Sequence, residues 1–121
     1  MMKTLYMIGG TMGVGKTTVC QQLKRDLQNS VFLDGDWCWD ASPFQVTDET
    51  KVMVTNNICY LLNNFLKCSA YENIIFMFSL PACTTVVCNY FVNNGLSRLK
   101  ISHTYGTMIL EKYLCKQFDK P

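Results

Sequence analysis

The sequence predicts a three-layer α/β fold, in which helices flank a short parallel sheet of three or four strands. Apolar strand-like runs alternate with periodic helix-like segments in the order strand, helix, strand, helix, strand. The chain has 121 residues, 49% of them hydrophobic and 17% charged, which is the composition of a globular chain rather than a disordered one. We therefore expect a single domain over residues 1–121, built around one core.

The first three elements follow directly from local pattern. Residues 4–8 form a short apolar run that ends in glycine, as expected of a buried strand. Residues 17–28 place apolar side chains four residues apart on one face, which indicates an amphipathic helix. Those positions are Val19, Leu23 and Leu27. Residues 31–33 read as a second strand, which the sequence Asp34-Gly35-Asp36 stops.

A second helix is predicted to begin near Thr47. The Thr47 side chain can cap the helix, and the carboxylates of Asp48 and Glu49 suit the positive end of its dipole. One long apolar face follows, made of Val54, Ile58, Leu61, Leu62 and Phe65. Residues 74–78 are apolar on both alternating faces, which predicts an interior parallel strand covered by helices on both sides.

The C-terminal third gives weaker signals. Residues 84–92 are β-branched and aromatic but lie between Pro81 and Gly95, so both helix and strand remain open there. Leu110, Leu114 and Phe118 are spaced for a last helix. No internal repeat, low-complexity tract or linker is present in the sequence.

Charge and cysteine content exclude several classes of function. The net charge is +2 and no run of Lys or Arg occurs, so we expect no nucleic-acid partner. No apolar run reaches the roughly 20 residues of a membrane span, and the N-terminal run is too short for a secretory signal. Seven cysteines without a C-x-x-C pair favour reduced thiols in a cytoplasmic protein over a zinc site.

A phosphate-binding loop follows the first strand. Residues 10–17 match the pattern G-x-x-x-x-G-K-[ST] without a gap: Gly10, Thr11, Met12, Gly13, Val14, Gly15, Lys16 and Thr17. Glycine lets backbone N–H groups turn inward around a phosphate, and the N-terminus of the next helix attracts the same anion. Lys16 is expected to contact the β- and γ-phosphates, and the Thr17 hydroxyl to bind Mg²⁺. Thr18 contacts the α-phosphate or is simply an exposed first-turn residue.

An acidic turn follows the second strand. Asp34 and Asp36 stand at its carboxyl end, and ligands of open α/β sheets bind at that edge. Either carboxylate could accept the proton of a substrate hydroxyl or hold Mg²⁺ through water. A plain polar turn is the alternative, since Asp-Gly pairs are common in turns. Trp37 and Trp39 could line a substrate pocket, or one could lie in the core while the other fills a gap in the loop. His103 is interpreted as a surface residue.

These motifs resemble the P-loop small-molecule kinases of the nucleoside-monophosphate-kinase-like group. That group includes gluconate, shikimate and adenylylsulfate kinases, chloramphenicol phosphotransferase and many proteins described only as AAA-family ATPases. The resemblance rests on GTMGVGKTT, on LDGDWCWD and on the helix after Thr47, and it covers about residues 1–80. It implies a P-loop NTPase domain that uses ATP and Mg²⁺, with Asp34 or Asp36 contacting the phosphoryl acceptor or the magnesium ion.

The chain departs from that group in three respects. It is shorter than such kinases, and it has only Arg25 and Arg98 where they carry a lid with several arginines. Residues 79–81, Ser-Leu-Pro, occupy the place where the third strand often ends in a magnesium-binding Asp. We therefore expect the lid and the C-terminal strands to be missing or reduced, with the part from about Ala82 onward either a divergent remainder or truncated or altered. Apolar surface left uncovered in that way would favour self-association.

Three functions are consistent with these residues. The first is an ATP-dependent kinase for a small-molecule acceptor, with Lys16, Asp36 and Asp34 as candidate catalytic residues. The second is a degenerate nucleotide-binding module, which the short length and the reduced lid favour. The third is an NTPase that works in an assembly and receives its arginine from a partner. The Asp-Gly-Asp turn favours the first, and ATP is expected because no guanine-reading motif is apparent.

Overall fold

A computed structural model describes residues 2–9, 15–78, 98–105 and 108–113 of the chain. These residues form five strands: β1 (Thr4–Gly9), β2 (Ser30–Asp34), β3 (Asn73–Phe78), β4 (Arg98–Tyr105) and β5 (Met108–Tyr113). They also form the helices α1 (Lys16–Asp26) and α2 (Asp48–Lys67) and a 3-10 helix (Gly35–Trp39) between β2 and α2. The alternating order expected for an α/β domain is therefore present from β1 to β3.

The strands form one sheet in the order β2-β3-β1-β4-β5. The first four strands in this order are parallel, and β5 pairs antiparallel with β4. The parallel part thus has four strands, within the expected three to four, and β5 adds a fifth strand at the edge. Because β1 to β4 all run the same way, their carboxyl ends meet at one edge, here called the carboxyl edge, opposite the amino edge.

Two apolar layers confirm the three-layer α/β class. On one face of the sheet, α2 packs on β1, β2 and β3 through side chains that include Val54, Ile58 and Leu62. On the other face, Cys20 of α1 packs with residues such as Ile8 and Ile75, and Leu23 and Leu27 pack around them. The side chains of β3 from Ile74 to Phe78 are all buried, as predicted for an interior strand covered on both sides.

The start of α2 confirms the capping prediction at Thr47. The Thr47 hydroxyl accepts a hydrogen bond from the Thr50 amide at 3.1 Å, and the Thr50 hydroxyl accepts one from the Thr47 amide at 2.8 Å. This reciprocal pair is a capping box, which satisfies two backbone donors that the first turn of a helix leaves without an intrahelical partner. The carboxylates of Asp48 and Glu49 lie in that first turn, where the helix dipole favours negative charge.

The predicted last helix is wrong where the structure describes it. Leu110 lies within the strand β5, whose residues pair with β4 from Tyr105↔Met108 to Lys100↔Tyr113. The spacing of apolar residues in this short segment is compatible with a helix, but pairing with a non-local neighbour decides the conformation. Leu114 and Phe118 lie outside the described residues, as does the undecided segment 84–92.

Neither α1 nor α2 combines the length and the apolar composition required to cross a bilayer, and no other described helix does so.

Candidate functional site

The carboxyl edge brings the two sequence motifs together. Gly9, the last residue of β1 before the loop motif, is in register with Phe78 at the end of β3. Asp34, the last residue of β2, is in register with Met77 of the same strand. The loop motif and the acidic turn therefore leave the sheet from the same edge, on either side of β3.

The helix α1 begins at this edge without a side-chain cap. Its N-cap residue is Gly15, with φ 86° and ψ 21°, a left-handed conformation that favours glycine. Glycine has no side chain that could accept hydrogen bonds from the first-turn amides of α1. These amides, together with the positive end of the helix dipole, form an environment suited to an anion.

The Lys16 side chain reaches the end of β3. It is only 6% exposed, and its Nζ donates to the main-chain carbonyl of Phe78 at 3.4 Å. A distance of 3.4 Å is at the long end for such a hydrogen bond, so the contact holds the ammonium loosely. The cation therefore lies next to the carboxyl end of β3, the strand that separates the two motifs.

The next two threonines are exposed on the first turn of α1. The Thr17 hydroxyl lies 3.8 Å from the sulfur of Met77, a weak acceptor, and the Thr18 side chain is exposed. A hydroxyl oxygen is a suitable ligand for a hard cation, whereas a thioether sulfur is not. The Thr17 hydroxyl is thus an exposed oxygen at the N-terminus of α1.

The acidic turn is built around Asp34. Its Oδ1 accepts a hydrogen bond from the Asp36 amide at 2.9 Å, which caps the 3-10 helix. The Asp34 side chain is half-buried, whereas that of Asp36 is exposed. The two carboxylates that the sequence could not distinguish therefore have different surroundings.

The charges of Lys16 and Asp34 interact. Burial raises the pKa of Asp34, and the charge of Asp36 adds to this, while the Asp36 amide and the Lys16 ammonium oppose it. Burial raises the pKa of the Cys20 thiol to about 12, with the Asp34 charge raising it further and Lys16 lowering it. Burial and Asp34 also raise the pKa of Cys38. In each of the three groups burial is the largest influence, and the charges of Asp34, Asp36 and Lys16 modify it.

Gly35 fixes the turn against β3. A Cβ atom at this position would lie 2.5 Å from the carbonyl oxygen of Met77 and 2.7 Å from Cε2 of Phe76. Both distances are shorter than real Cβ contacts, so only glycine allows the 3-10 helix to approach the strand this closely. This contact was not predicted, because an Asp-Gly pair in a sequence indicates a turn but not what the turn touches.

The two tryptophans have different environments. Trp39 packs against the α2-side core and against Phe44, with ring centroids 5.5 Å apart, and its Nε1 donates to the carbonyl of Gln45 at 3.2 Å. Trp37 is 79% exposed beside Asp36. Trp39 thus anchors the loop to the core, and Trp37 is the tryptophan that a ligand at this edge could reach.

The basic residues of β4 lie at the other end of the sheet. Arg98 is in register with Thr4 and Lys100 with Tyr6, so Arg98 is five positions from the residue opposite Gly9, about 17 Å along the strand. That register places neither residue at the carboxyl edge. His103, interpreted from the sequence as a surface residue, is in register with Gly9 and so reaches this edge.

Part of the predicted site lies outside the described residues. This holds for the loop residues Gly10, Thr11, Met12, Gly13 and Val14, and for residues 79–81 after β3. Sequence analysis missed the Phe78 carbonyl, because a backbone carbonyl carries no residue-specific signal. The Cys20 thiol lies in the core, as expected of a reduced cysteine used as a small apolar residue.

Comparison with known families identifies the domain. A sequence profile described as AAA domain matches residues 7–120, which is nearly the whole chain. The chain belongs to the AAA domain family. Its resemblance to P-loop kinases, inferred from the loop motif and the acidic turn, is thereby confirmed.

Solved structures support the fold. A sugar kinase from Janibacter sp. HTCC2649 matches with a TM-score of 0.63 and 16% identity, over 85% of this chain and 60% of that one. A protein named APE1195 matches with a TM-score of 0.60 and 16% identity, over 84% and 60%. A chain of the Pnkp1/Rnl/Hen1 RNA repair complex matches with a TM-score of 0.59 and 18% identity, over 88% and 34%.

The chain spans 60% of the length of the first two of these structures. No curated protein matches the sequence. At such low identities the structures establish a common fold, a P-loop kinase-like α/β domain, and leave substrates to be inferred from the residues of this chain.

Proposed function

We propose that this chain binds ATP with Mg²⁺ and transfers the γ-phosphoryl group to a hydroxyl of a small-molecule acceptor. The observation that carries the proposal is the position of Lys16. Its ammonium lies at the uncapped start of α1 and donates to the carbonyl of Phe78, the residue after Met77, with which Asp34 is in register. A cation suited to phosphates and the acidic turn that begins at Asp34 are thus combined at one edge of the sheet.

The nucleotide would be held by the loop motif and the first turn of α1. We propose that the amides of residues 10–15 surround the phosphates and that Lys16 neutralises charge on the β- and γ-phosphates. The left-handed Gly15 and the start of α1 at Lys16 fit this role, because together they direct first-turn amides towards an anion. Thr18 is a further candidate for the α-phosphate, since its side chain is exposed on the same turn.

The donor set also fits a magnesium ion. Mg²⁺ prefers oxygen ligands and usually retains several waters while it bridges phosphates. The Thr17 hydroxyl would be its direct protein ligand, and Asp34, half-buried near Lys16, could hold one of the waters. When bound, Mg²⁺ neutralises charge on the transferring phosphoryl group.

The two carboxylates of the turn would have separate roles. Asp34 uses Oδ1 to cap the 3-10 helix, so it holds the shape of the turn. Asp36 is exposed beside Trp37, so it is the carboxylate that an acceptor can approach. We therefore assign to Asp36 the orientation of the acceptor hydroxyl and the acceptance of its proton.

Calorimetric titration with ATP and Mg²⁺ tests the nucleotide site. Lys16→Ala should weaken binding at least about tenfold, or ~1.4 kcal/mol, because the phosphates lose their buried cation. Lys24→Ala is the matched control, since Lys24 is exposed in the last turn of the same helix, and it should bind like the wild type. Equal affinities of the wild type and Lys16→Ala would refute the proposed site.

ADP release in the presence of candidate acceptors tests the transfer step. Asp36→Asn should abolish the acceptor-dependent part of ADP release while ATP binding is retained, because the proton acceptor is lost and the loop is unchanged. Asp40→Asn, just beyond the 3-10 helix, should keep that activity. Tight ATP binding without release of ADP for any acceptor would instead indicate a nucleotide-binding module.

A further inference from the structure

The outer face of α2, which points away from the sheet, carries no charge over most of its length. The inner face packs on the sheet through side chains such as Val54, Ile58 and Leu62. Residues 52–66 of the helix contain no Asp, Glu, Lys or Arg. A helix on the surface of a globular protein usually has charged and polar side chains on its solvent face. The outer face of α2 therefore lacks the charges that such a face normally carries.

Three large apolar side chains are exposed on this outer face. Val52 is 61% exposed, Met53 51% and Tyr60 70%. Single exposed apolar residues are common on protein surfaces and need no explanation. Here three of them lie on one helical face, and charged residues are absent from the same stretch of sequence. Enrichment in aromatic residues and Met, together with depletion of Lys, Glu and Asp, is typical of the centre of a protein–protein interface.

The exposed positions of α2 follow a heptad spacing. Steps of four and three residues alternate along the helix and connect six positions: Glu49, Met53, Asn56, Tyr60, Asn63 and Lys67. All of these side chains are exposed except that of Asn63, which is half-buried. Positions with this spacing form one continuous stripe on a helix, along which two helices can pack. This stripe, here called the outer stripe, extends over about 27 Å, at about 1.5 Å per residue.

The two ends of the outer stripe carry opposite charges. Glu49 lies in the first turn of α2 and Lys67 in the last, and each charge suits the helix dipole at its own end. Their order also makes the stripe complementary to itself in an antiparallel pair. Glu49 of one copy then lies opposite Lys67 of the second copy, and the two-fold axis repeats this contact at the other end. In a parallel pair, like charges would lie opposite one another at both ends.

The same antiparallel register also matches the middle of the outer stripe. When position 49 lies opposite position 67, Met53 lies opposite Asn63 of the second copy and Asn56 lies opposite Tyr60 of the second copy. The two-fold axis then passes between Asn56 and Tyr60. The ring and the thioether leave water near the axis, and a Tyr hydroxyl can donate to the oxygen of an Asn amide. No pair of like charges occurs along the stripe in this register.

We propose that the outer stripe of α2 binds the same stripe of a second copy of this chain, antiparallel about a two-fold axis. Two helices that pack along one stripe make a smaller interface than a standard stable complex, so the dimer forms reversibly as concentration rises. The proposal assigns a surface to the self-association that the sequence predicts. It does not depend on the proposed phosphotransfer.

Sedimentation velocity of the full chain over a range of concentrations measures the dimerisation constant. Tyr60→Ala should weaken dimerisation at least about tenfold, because the dimer loses a ring from each copy near its axis. This ring is 70% exposed in the single chain, so its removal should change the stability of the fold little. Trp37→Ala removes a ring that is 79% exposed outside α2, and this matched control should dimerise like the wild type.

Exchange of the terminal charges tests the antiparallel register. Glu49→Lys places Lys opposite Lys, and Lys67→Glu places Glu opposite Glu, so each variant alone should dimerise several-fold more weakly than the wild type at low salt. An equal mixture of the two variants restores opposite charges at both ends and should form a heterodimer. Asp48→Lys is the matched control for Glu49→Lys. It makes the same charge change in the same turn, but about 100° around the helix from Glu49, and should dimerise like the wild type.

The proposal is overturned if the wild type stays monomeric at its highest soluble concentration, or if Tyr60→Ala dimerises as tightly as the wild type. It is also overturned if the mixture of the two charge variants associates no more tightly than each variant alone. Circular dichroism establishes that each variant keeps its helices. Heterodimer formation on mixing further requires both charge variants to be folded, so it separates a lost contact from a lost fold.

Discussion

At the scale of single residues, the carboxyl group of Asp34 combines opposing influences. Burial and the neighbouring charge of Asp36 raise its pKa from the ordinary value of 3.8, while the Asp36 amide and Lys16 act in the other direction. The same carboxylate caps the 3-10 helix by accepting from the Asp36 amide, so burial acts against its charged form while the cap acts in favour of it.

The pH dependence of stability should report this balance. Because the pKa of Asp34 is higher in the folded chain than in the unfolded chain, its contribution to stability is greatest below the unfolded pKa. That contribution is lost as pH rises through the folded pKa. Asp34→Asn stays uncharged, and its Oδ1 can still accept from the Asp36 amide. The stability of Asp34→Asn relative to wild type should therefore rise from about pH 3 to about pH 7.

Urea denaturation of both proteins across this pH range measures the difference. Taking the difference between variant and wild type cancels the titration of the other carboxylates. A relative stability of Asp34→Asn that falls as pH rises would show that Lys16 and the Asp36 amide outweigh burial.

At the scale of elements, the 3-10 helix is held against β3 by a backbone contact. Gly35 is buried, and its Cα faces the carbonyl of Met77 and the ring of Phe76. The position of Asp36 and Trp37 therefore depends on the position of β3, whose last carbonyl accepts from Lys16. Contacts with the carboxyl end of β3 thus set the positions of both the acidic turn and the Lys16 ammonium.

Gly35→Ala should disturb this arrangement. The added Cβ cannot fit 2.5 Å from a carbonyl oxygen, so the 3-10 helix or the strand must shift. We expect the free energy of unfolding to fall by about 1–3 kcal/mol, as is usual for overpacking. Urea denaturation measures this loss. Trp37→Ala is the control on the same helix, and its effect should stay within about 0.5 kcal/mol because the side chain is largely exposed.

An unchanged stability of Gly35→Ala would mean that the turn can move away from β3 at little cost. The 3-10 helix would then not be fixed relative to Lys16, and the geometric basis of the proposed acceptor site would be lost.

At the scale of the whole molecule, Lys3 connects distant parts of the chain at the amino edge. Its side chain is 9% exposed, and its ammonium donates to the carbonyls of Cys68 and Tyr71, just after α2. These residues lead into β3, and the Glu72 carbonyl accepts from the Thr4 amide at 2.9 Å. One buried cation thus joins the first strand to the end of α2 and the entry to the neighbouring strand.

Lys3→Met keeps the length of the side chain but removes the donor. The two carbonyls would lose a charged partner in a largely buried place, so the free energy of unfolding should fall by about 1–3 kcal/mol. Chemical denaturation measures the change. Lys67→Met, an exposed residue in the last turn of α2, is the control, and its effect should be no more than about 0.5 kcal/mol. Equal losses of unfolding free energy in Lys3→Met and Lys67→Met would show that the contacts of Lys3 stabilise the fold no more than an exposed lysine does.

The N-terminal part of this molecule could be predicted because its signals are local. The apolar run of β3, the cap at Thr47 and the periodicity of α1 each depend on neighbouring residues in the chain. The strand β5 depends instead on pairing with β4, so the apolar spacing around Leu110 gave the wrong element.

The candidate site likewise has features that could be predicted from the sequence and features that could not. The loop motif and the acidic turn are visible in the sequence, because phosphate binding and turn formation require particular residue types at fixed spacing. The different surroundings of Asp34 and Asp36 are not visible, since they arise from burial and from the close approach of Gly35 to β3. The contact between Lys16 and Phe78 involves a carbonyl that every residue possesses.

In the proposed nucleotide complex, the Lys16 ammonium would have the Phe78 carbonyl at the end of β3 and a phosphate as neighbours. An ammonium has three N–H donors, so one cation can serve both acceptors. Where the two contacts affect one another, the coupling free energy is the same in both directions: a change at the end of β3 that alters nucleotide affinity is matched by an equal effect of the nucleotide on that strand end. One cation would thus link occupancy of the phosphate loop to the last residue of β3.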